Sequence, residues 1–214
     1  MVNTENEFSQ IKERYEKFSK ISTKQKQSSN GMMDLVNDMV LMHKTNLLKA
    51  FMMYEYCQKI EREGEEAEEK EIYEKPTNNI EIPNAVIDEI ENSVKELEKL
   101  MDTCQKQLML TEVDINSFPT DLTDLKNTIQ IFSINNPSYR QECEKMLKEI
   151  KDAEHDNGIF KKILDVDHKI YENTENGNKK VREMLIHMRN SIFYENQLRL
   201  ALYNENHPDE APKE

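Results

Sequence analysis

Apolar residues return along this chain at helical intervals. Over residues 5–22, Phe8, Ile11, Tyr15, Phe18 and Ile21 lie three or four apart, with Lys12, Glu13, Arg14, Glu16, Lys17 and Lys20 on the other face, which predicts an amphipathic helix. Residues 23–31, TKQKQSSNG, hold no apolar side chain and read as a linker. Residues 32–63 form the most apolar segment, from Met32 and Met33 through Leu35, Val36, Met39 and Val40 to Leu47, Phe51, Tyr54, Cys57 and Ile60. A helix apolar on more than one face is buried among several neighbours, so this segment reads as the central core element. It passes into EREGEEAEEKEIYEK (61–75), eight Glu against three basic residues, read as a solvated helix end and linker or as a docking strip for a basic partner. The stretch KPTNNIEIP, 75–83, then breaks the chain with two prolines.

The cleanest pattern lies in 84–113. Ile87, Ile90, Val94, Leu97, Met101, Cys104 and Leu108 alternate steps of three and four, three heptads of a coiled-coil seam flanked by mixed charges. Asn84 can cap this helix, and Asp88 and Glu89 suit its positive end. The stretch DINSFPTD (114–121) reads as a loop in which Thr120 or Asp121 can cap the next helix, marked by Leu122, Leu125, Ile129 and Phe132. Asn135-Asn136-Pro137 ends it, and Ser138 with Gln141 forms a capping box that starts another helix at Tyr139. Cys143, Met146, Ile150 and Ala153 keep heptad spacing, and Asn157, Phe160, Leu164, Asp167 and Tyr171 continue it. Gly158 leaves two readings of 139–171, one long helix or two helices with a turn. The stretch TENGNKK (174–180) reads as a break, 181–203 as a last helix, and 204–214 as a polar, disordered tail.

The expected architecture is therefore all-α, an elongated helical hairpin or bundle with coiled-coil segments and no sheet. An amphipathic helix and linker occupy 1–30; the bundle occupies 31–203 and includes the Pro-broken loop. No repeat of 20–50 residues is visible and the helices differ in length and pattern, so a solenoid is not expected.

Composition supports this picture and narrows the chemistry. The chain has 214 residues with only 4 Gly and 6 Pro, too few to punctuate a sandwich or barrel, and no glycine cluster of a nucleotide-binding loop. Its net charge of −13 opposes binding to phosphate backbones and anionic lipid surfaces, so no direct nucleic acid partner is expected. No apolar run is long enough to span a membrane. The N-terminus is polar from residue 3 and is not expected to act as a signal peptide. Cys57, Cys104 and Cys143 then read as reduced, buried thiols of a cytoplasmic or nuclear protein.

Catalytic and metal patterns are weak. The two Glu-x-x-His motifs of a di-iron bundle are missing; the nearest approach is Asp165-x-x-His168. Glu183 and His187, four apart, read as a surface ion pair. No G-x-S-x-G elbow occurs, no cysteine sits in a basic cluster, and His43 reads as a hydrogen-bonded core residue. The expectation is a protein without enzymatic activity, cofactor, metal or small-molecule substrate. One basic feature stands out: Lys12, Arg14, Lys17, Lys20, Lys24 and Lys26 against Glu13 and Glu16, read as a polar helix face or as a contact for an acidic partner that phosphorylation of neighbouring Ser and Thr would switch off.

Residues 33–57, MDLVNDMVLMHKTNLLKAFMMYEYC, resemble the short first head helix in subunits of the MIND kinetochore complex, and the Pro-broken loop followed by the heptad helix fits that family's head-then-stalk layout. The resemblance implies a scaffold joining chromatin-side to microtubule-side proteins. The family's extended stalk is interrupted here at 114–121 and 135–138.

The expected function is that of a helical scaffold or interaction subunit of a multiprotein assembly, with a kinetochore or chromosome-segregation complex as the candidate and other helical subunits as partners in a hetero-oligomer. The alternative is a self-contained bundle, an adaptor or regulator that takes a partner helix or peptide in a groove. Leu35, Val36, Met39, Val40, Leu47, Phe51 and Tyr54 are the expected partner-binding residues. The seam residues 87–108 named above are expected to be buried against other helices.

Overall fold

The computed structural model describes residues 4–69 and 81–209, with side chains over 4–62 and 84–209. Among the described residues the fold is all-α, with no strand: α1 (Thr4–Glu69), α2 (Glu81–Asn116), α3 (Thr123–Asn135), a 3₁₀ turn (Pro137–Tyr139) and α4 (Arg140–Asn206). Most of the loop expected at 75–83 lies outside the described residues, as does the end of the tail; Glu81, Ile82 and Pro83 are the first residues of α2.

Two expected breaks are helix instead. The supposed linker 23–31 lies inside α1, and the supposed break 174–180 lies inside α4. The reason is phase. In α1 the positions 8, 11, 15, 18, 22, 25, 29, 32, 36, 39, 43, 46, 50, 53, 57 and 60 alternate steps of three and four without a slip, and every one is buried or half-buried. Ser22, not Ile21, therefore belongs to the buried stripe. In α4 the same alternation runs from Cys143 to Ile192 through Thr174 and Asn178. Polar residues occupy seam positions there, so the stretches look like linkers by composition yet continue the helix by spacing. Residues 139–171 accordingly hold one helix, entered through the 3₁₀ turn, with Gly158 in open space. The segment 33–57 likewise lies within α1 rather than forming a short helix of its own.

The chain divides into two compact units, Met1–Asn37 with Asp102–Tyr171, and Asp38–Met101 with Glu172–Glu214. In the first unit α1 and α4 run parallel: Tyr15 bonds Glu149, 134 residues away, and Gln25 bonds Asn157, 132 away. α2 and α3 run opposite to α1. The separation of bonded partners falls from 110 at Arg14–Asp124 to 90 at Lys24–Asp114, 83 at Ser28–Thr111 and 69 at Leu35–Cys104. That is two for each step along α1, so α3 takes the register α2 would have had and the loop between them costs no offset. Asp121 Oδ1 accepts the Thr123 N–H at 2.8 Å just ahead of α3, but the cap position itself falls on Leu122, which offers no side-chain cap bond, rather than on Thr120 or Asp121. The core is Ile11, Phe18, Phe118, Leu125, Ile129, Phe132, Cys143 and Ile150, with Phe8 stacked 5.5 Å from Phe132.

In the second unit α1 and α4 again run parallel and α2 opposes both. His43 meets Gly177, and the Ile60 carbonyl accepts Arg199 at 3.1 Å. Lys49 pairs with Glu89 at 2.6 Å and Arg189 with Glu91 at 2.9 Å. The core is Ala50, Met53 and Cys57 from α1, Ile87, Ile90 and Val94 from α2, and Val181, Leu185, Met188 and Ile192 from α4.

Candidate functional site

All seven seam residues of α2 are buried as the heptad spacing predicts, with Ile87, Ile90, Leu97 and Cys104 fully so. The expected partner-binding residues are placed differently. Val36 and Met39 are core residues, 3% and 0% exposed. Leu35, Val40, Leu47 and Tyr54 are half-buried, and Leu47 and Tyr54 pack against the core of the second unit. Of the seven, Phe51 alone is open, at 51%.

The open apolar side chains of α1 are others: Leu41 at 66%, Leu48 at 63% and Met52 at 64%, with Phe51 and Tyr56 beside them. At about 100° per residue, Leu41, Leu48 and Met52 fall in a stripe roughly 40° wide, on the side of α1 away from Met39, Ala50, Met53 and Cys57. Helix α1 thus has two opposed apolar faces in the second unit. One fills the core; the other meets no element of the described chain deeply enough to bury it. The signal was available in the sequence. The phase of Ala50, Met53 and Cys57 assigns the inner face, and the remaining large apolar residues define the outer one.

A groove of about 660 Å³ lies in the same unit between α1 and α4, lined by Glu61, His187, Asn190, Ser191, Tyr194, Glu195 and Leu198. Tyr194 and Leu198 supply exposed apolar surface, and the His187 ring lies 6.5 Å from that of Tyr54.

Each unit also carries a buried polar layer. In the first, Gln25 Nε2 donates to Asn157 Oδ1 at 2.5 Å, while Asp114 holds Lys24 at 2.6 Å. In the second, Ser93 Oγ donates to Asn46 Oδ1 at 2.6 Å, and Asn178 is buried. The layers correspond residue by residue: Gln25 with Asn46, Asp114 with Ser93 and Asn157 with Asn178, each displaced by three heptads. Such layers favour one register, because any slip leaves their polar groups against apolar neighbours. The second is incompletely satisfied: Asn46 Nδ2, Asn178 Oδ1 and His43 Nδ1 are buried without a hydrogen-bond partner. Burial holds the His43 imidazole below its usual pKa range, so the ring stays neutral.

Other chemistry is sparse. Among the described residues, no three His, Cys, Asp or Glu side chains come together as a metal-holding group. Cys57, Cys104 and Cys143 are free and buried; burial, with Glu61 nearby, pushes the Cys57 thiol up to about 11, and burial raises Cys143. Neither has the lowered pKa of a nucleophile. Within the basic strip, Arg14 binds Asp124, Lys17 binds Glu13 and Lys24 binds Asp114, so half of its cations are paired inside the chain. No described helix is long and apolar enough to cross a membrane.

Comparison with known proteins returns no match: no family model, no curated protein and no solved structure is similar to this chain.

Proposed function

We propose that this protein is a non-enzymatic helical interaction subunit of a multiprotein assembly, and that the outer face of α1 is its contact. The observation that carries the reading is the exposure of Leu41, Leu48, Phe51 and Met52, each more than half open, within twelve residues of a helix whose other face is already packed. Isolated exposed apolar residues are ordinary, but a contiguous set backed by a rigid core marks an association surface. The three buried thiols favour a reducing compartment, cytoplasm or nucleus. The resemblance of 33–57 to MIND head helices extends the reading to a chromosome-segregation complex.

Two measurements test it. In extract from its native cells the chain should elute well above the size of one 25.4 kDa polypeptide; elution as a single chain contradicts the subunit reading. A tagged chain should concentrate at centromeres in dividing cells; a diffuse signal removes the kinetochore assignment and leaves the subunit reading standing.

The groove between α1 and α4 favours a second reading, an adaptor that receives a partner helix beside Tyr194 and Leu198. Substituting Tyr194 and Leu198 with Glu separates the two, because only the adaptor would lose its partner.

A further inference from the structure

The outer face of α1 carries charges as well as apolar residues, and their order is informative. On the stripe and its two flanks, a sector about 140° wide, come Asp38, Lys44, the apolar set Leu48, Phe51 and Met52, then Glu55 and Lys59; these four charged residues are exposed, while Lys49, at the far flank, is held by Glu89 within the chain and is set apart from the order. Read in the opposite direction, every sign is exchanged. The pattern is therefore complementary to itself when two copies are laid antiparallel, with the centre between Leu48 and Phe51. Lys44 of one copy then faces Glu55 of the other, and Asp38 faces Lys59, each pair occurring twice about a two-fold axis. Leu48 meets Phe51 and Met52 at the centre, and Leu41 lies near Tyr56. A parallel overlay would set every charge against its own kind. Lys44 and Glu55 sit on the same flank of α1, the relation that brings two positions together across an antiparallel helix pair. Three turns separate them within one helix, so they do not pair in a single chain.

We propose that the occupant of this face is a second copy of the chain, bound antiparallel through α1 in an isologous two-fold contact. The proposal rests on the reading of this face as an interface and names its partner. Charge order sets the direction, and the Leu48–Phe51–Met52 centre supplies the apolar burial.

The test is sedimentation equilibrium of the purified full chain over a wide concentration range. The expected species has twice the 25.4 kDa chain mass. Lys44→Glu alone and Glu55→Lys alone should each weaken the dimer about tenfold, because two favourable pairs become two repulsive ones. The double variant Lys44→Glu with Glu55→Lys should restore wild-type association. Leu48→Glu with Met52→Glu should give a monomer of unchanged helical content. A double variant as weak as either single variant overturns the antiparallel arrangement, and a dimer indifferent to Leu48→Glu with Met52→Glu overturns the face. A wild-type chain monomeric at every concentration overturns self-association. If that monomer still loses its native assembly on the Leu48→Glu and Met52→Glu changes, the interface reading survives with a different partner; if it does not, both fall.

Discussion

His43 lies so close to Gly177 that a Cβ on that glycine would stand 2.5 Å from the ring Nε2 and 2.7 Å from Cε1. The glycine thus makes room for an aromatic ring between two parallel helices. Gly177→Ala should destabilise the fold by about 1–3 kcal/mol, since the ring has to move within a packed seam. Gly158→Ala, whose Cβ would meet nothing within 4 Å, should stabilise it by up to about 1 kcal/mol through helix propensity. Chemical denaturation of both variants checks the opposite signs; stabilisation by Gly177→Ala would show that His43 yields without cost.

The same ring predicts a pH dependence. Burial keeps the folded pKa of His43 below its ordinary 6.5, so below that pH the unfolded chain takes up a proton that the folded chain refuses. Stability should therefore fall as the pH drops from about 6.5 toward the folded value, and above 6.5 this contribution is absent. His43→Leu should lose less stability than wild type between pH 7.5 and 5.5, measured as the shift in urea midpoint. Equal losses would contradict a buried neutral imidazole.

The polar layers should respond unequally. Asn157→Ala leaves the buried Gln25 amide without its acceptor and should cost about 1–3 kcal/mol. Asn178→Leu removes a carbonyl oxygen that has no partner and should be neutral or stabilising by about 1 kcal/mol, with some loss of register specificity. Urea denaturation of the two variants measures the contrast. A large loss from Asn178→Leu would mean that its amide is satisfied in solution.

Leu97 is fully buried in the α2 seam. Leu97→Glu places an unpaired carboxylate there and should cost several kcal/mol. A variant that melts as wild type does would show that the seam is not a packing face.

How much of this was legible before the structure differs from element to element. The α2 seam was readable because seven apolar residues in strict alternation leave no other phase. The continuity of α1 and α4 was hidden by Gln25, Ser29, Thr174 and Asn178, which hold seam positions with polar side chains, so composition pointed to linkers where spacing pointed to helix. The candidate interface was half legible. An excess of apolar residues in 32–60 was evident, but counting them cannot separate two opposed faces, and Val36 and Met39 belong to the inner one. The closeness of His43 and Gly177, and the pairing of the two polar layers, depend on the register between helices, which no local pattern in one helix encodes.

The outer face of α1, with Leu41, Leu48, Phe51 and Met52 open, is the surface proposed to join this protein to its assembly. The most direct measurement follows the Leu48→Glu with Met52→Glu chain in its native cells beside wild type. The substituted residues are exposed, so the variant should keep wild-type helical content and melting. Wild type should migrate well above the 25.4 kDa of one chain, while the variant should migrate as a single free chain. A variant that folds normally and still migrates with the whole assembly would contradict it.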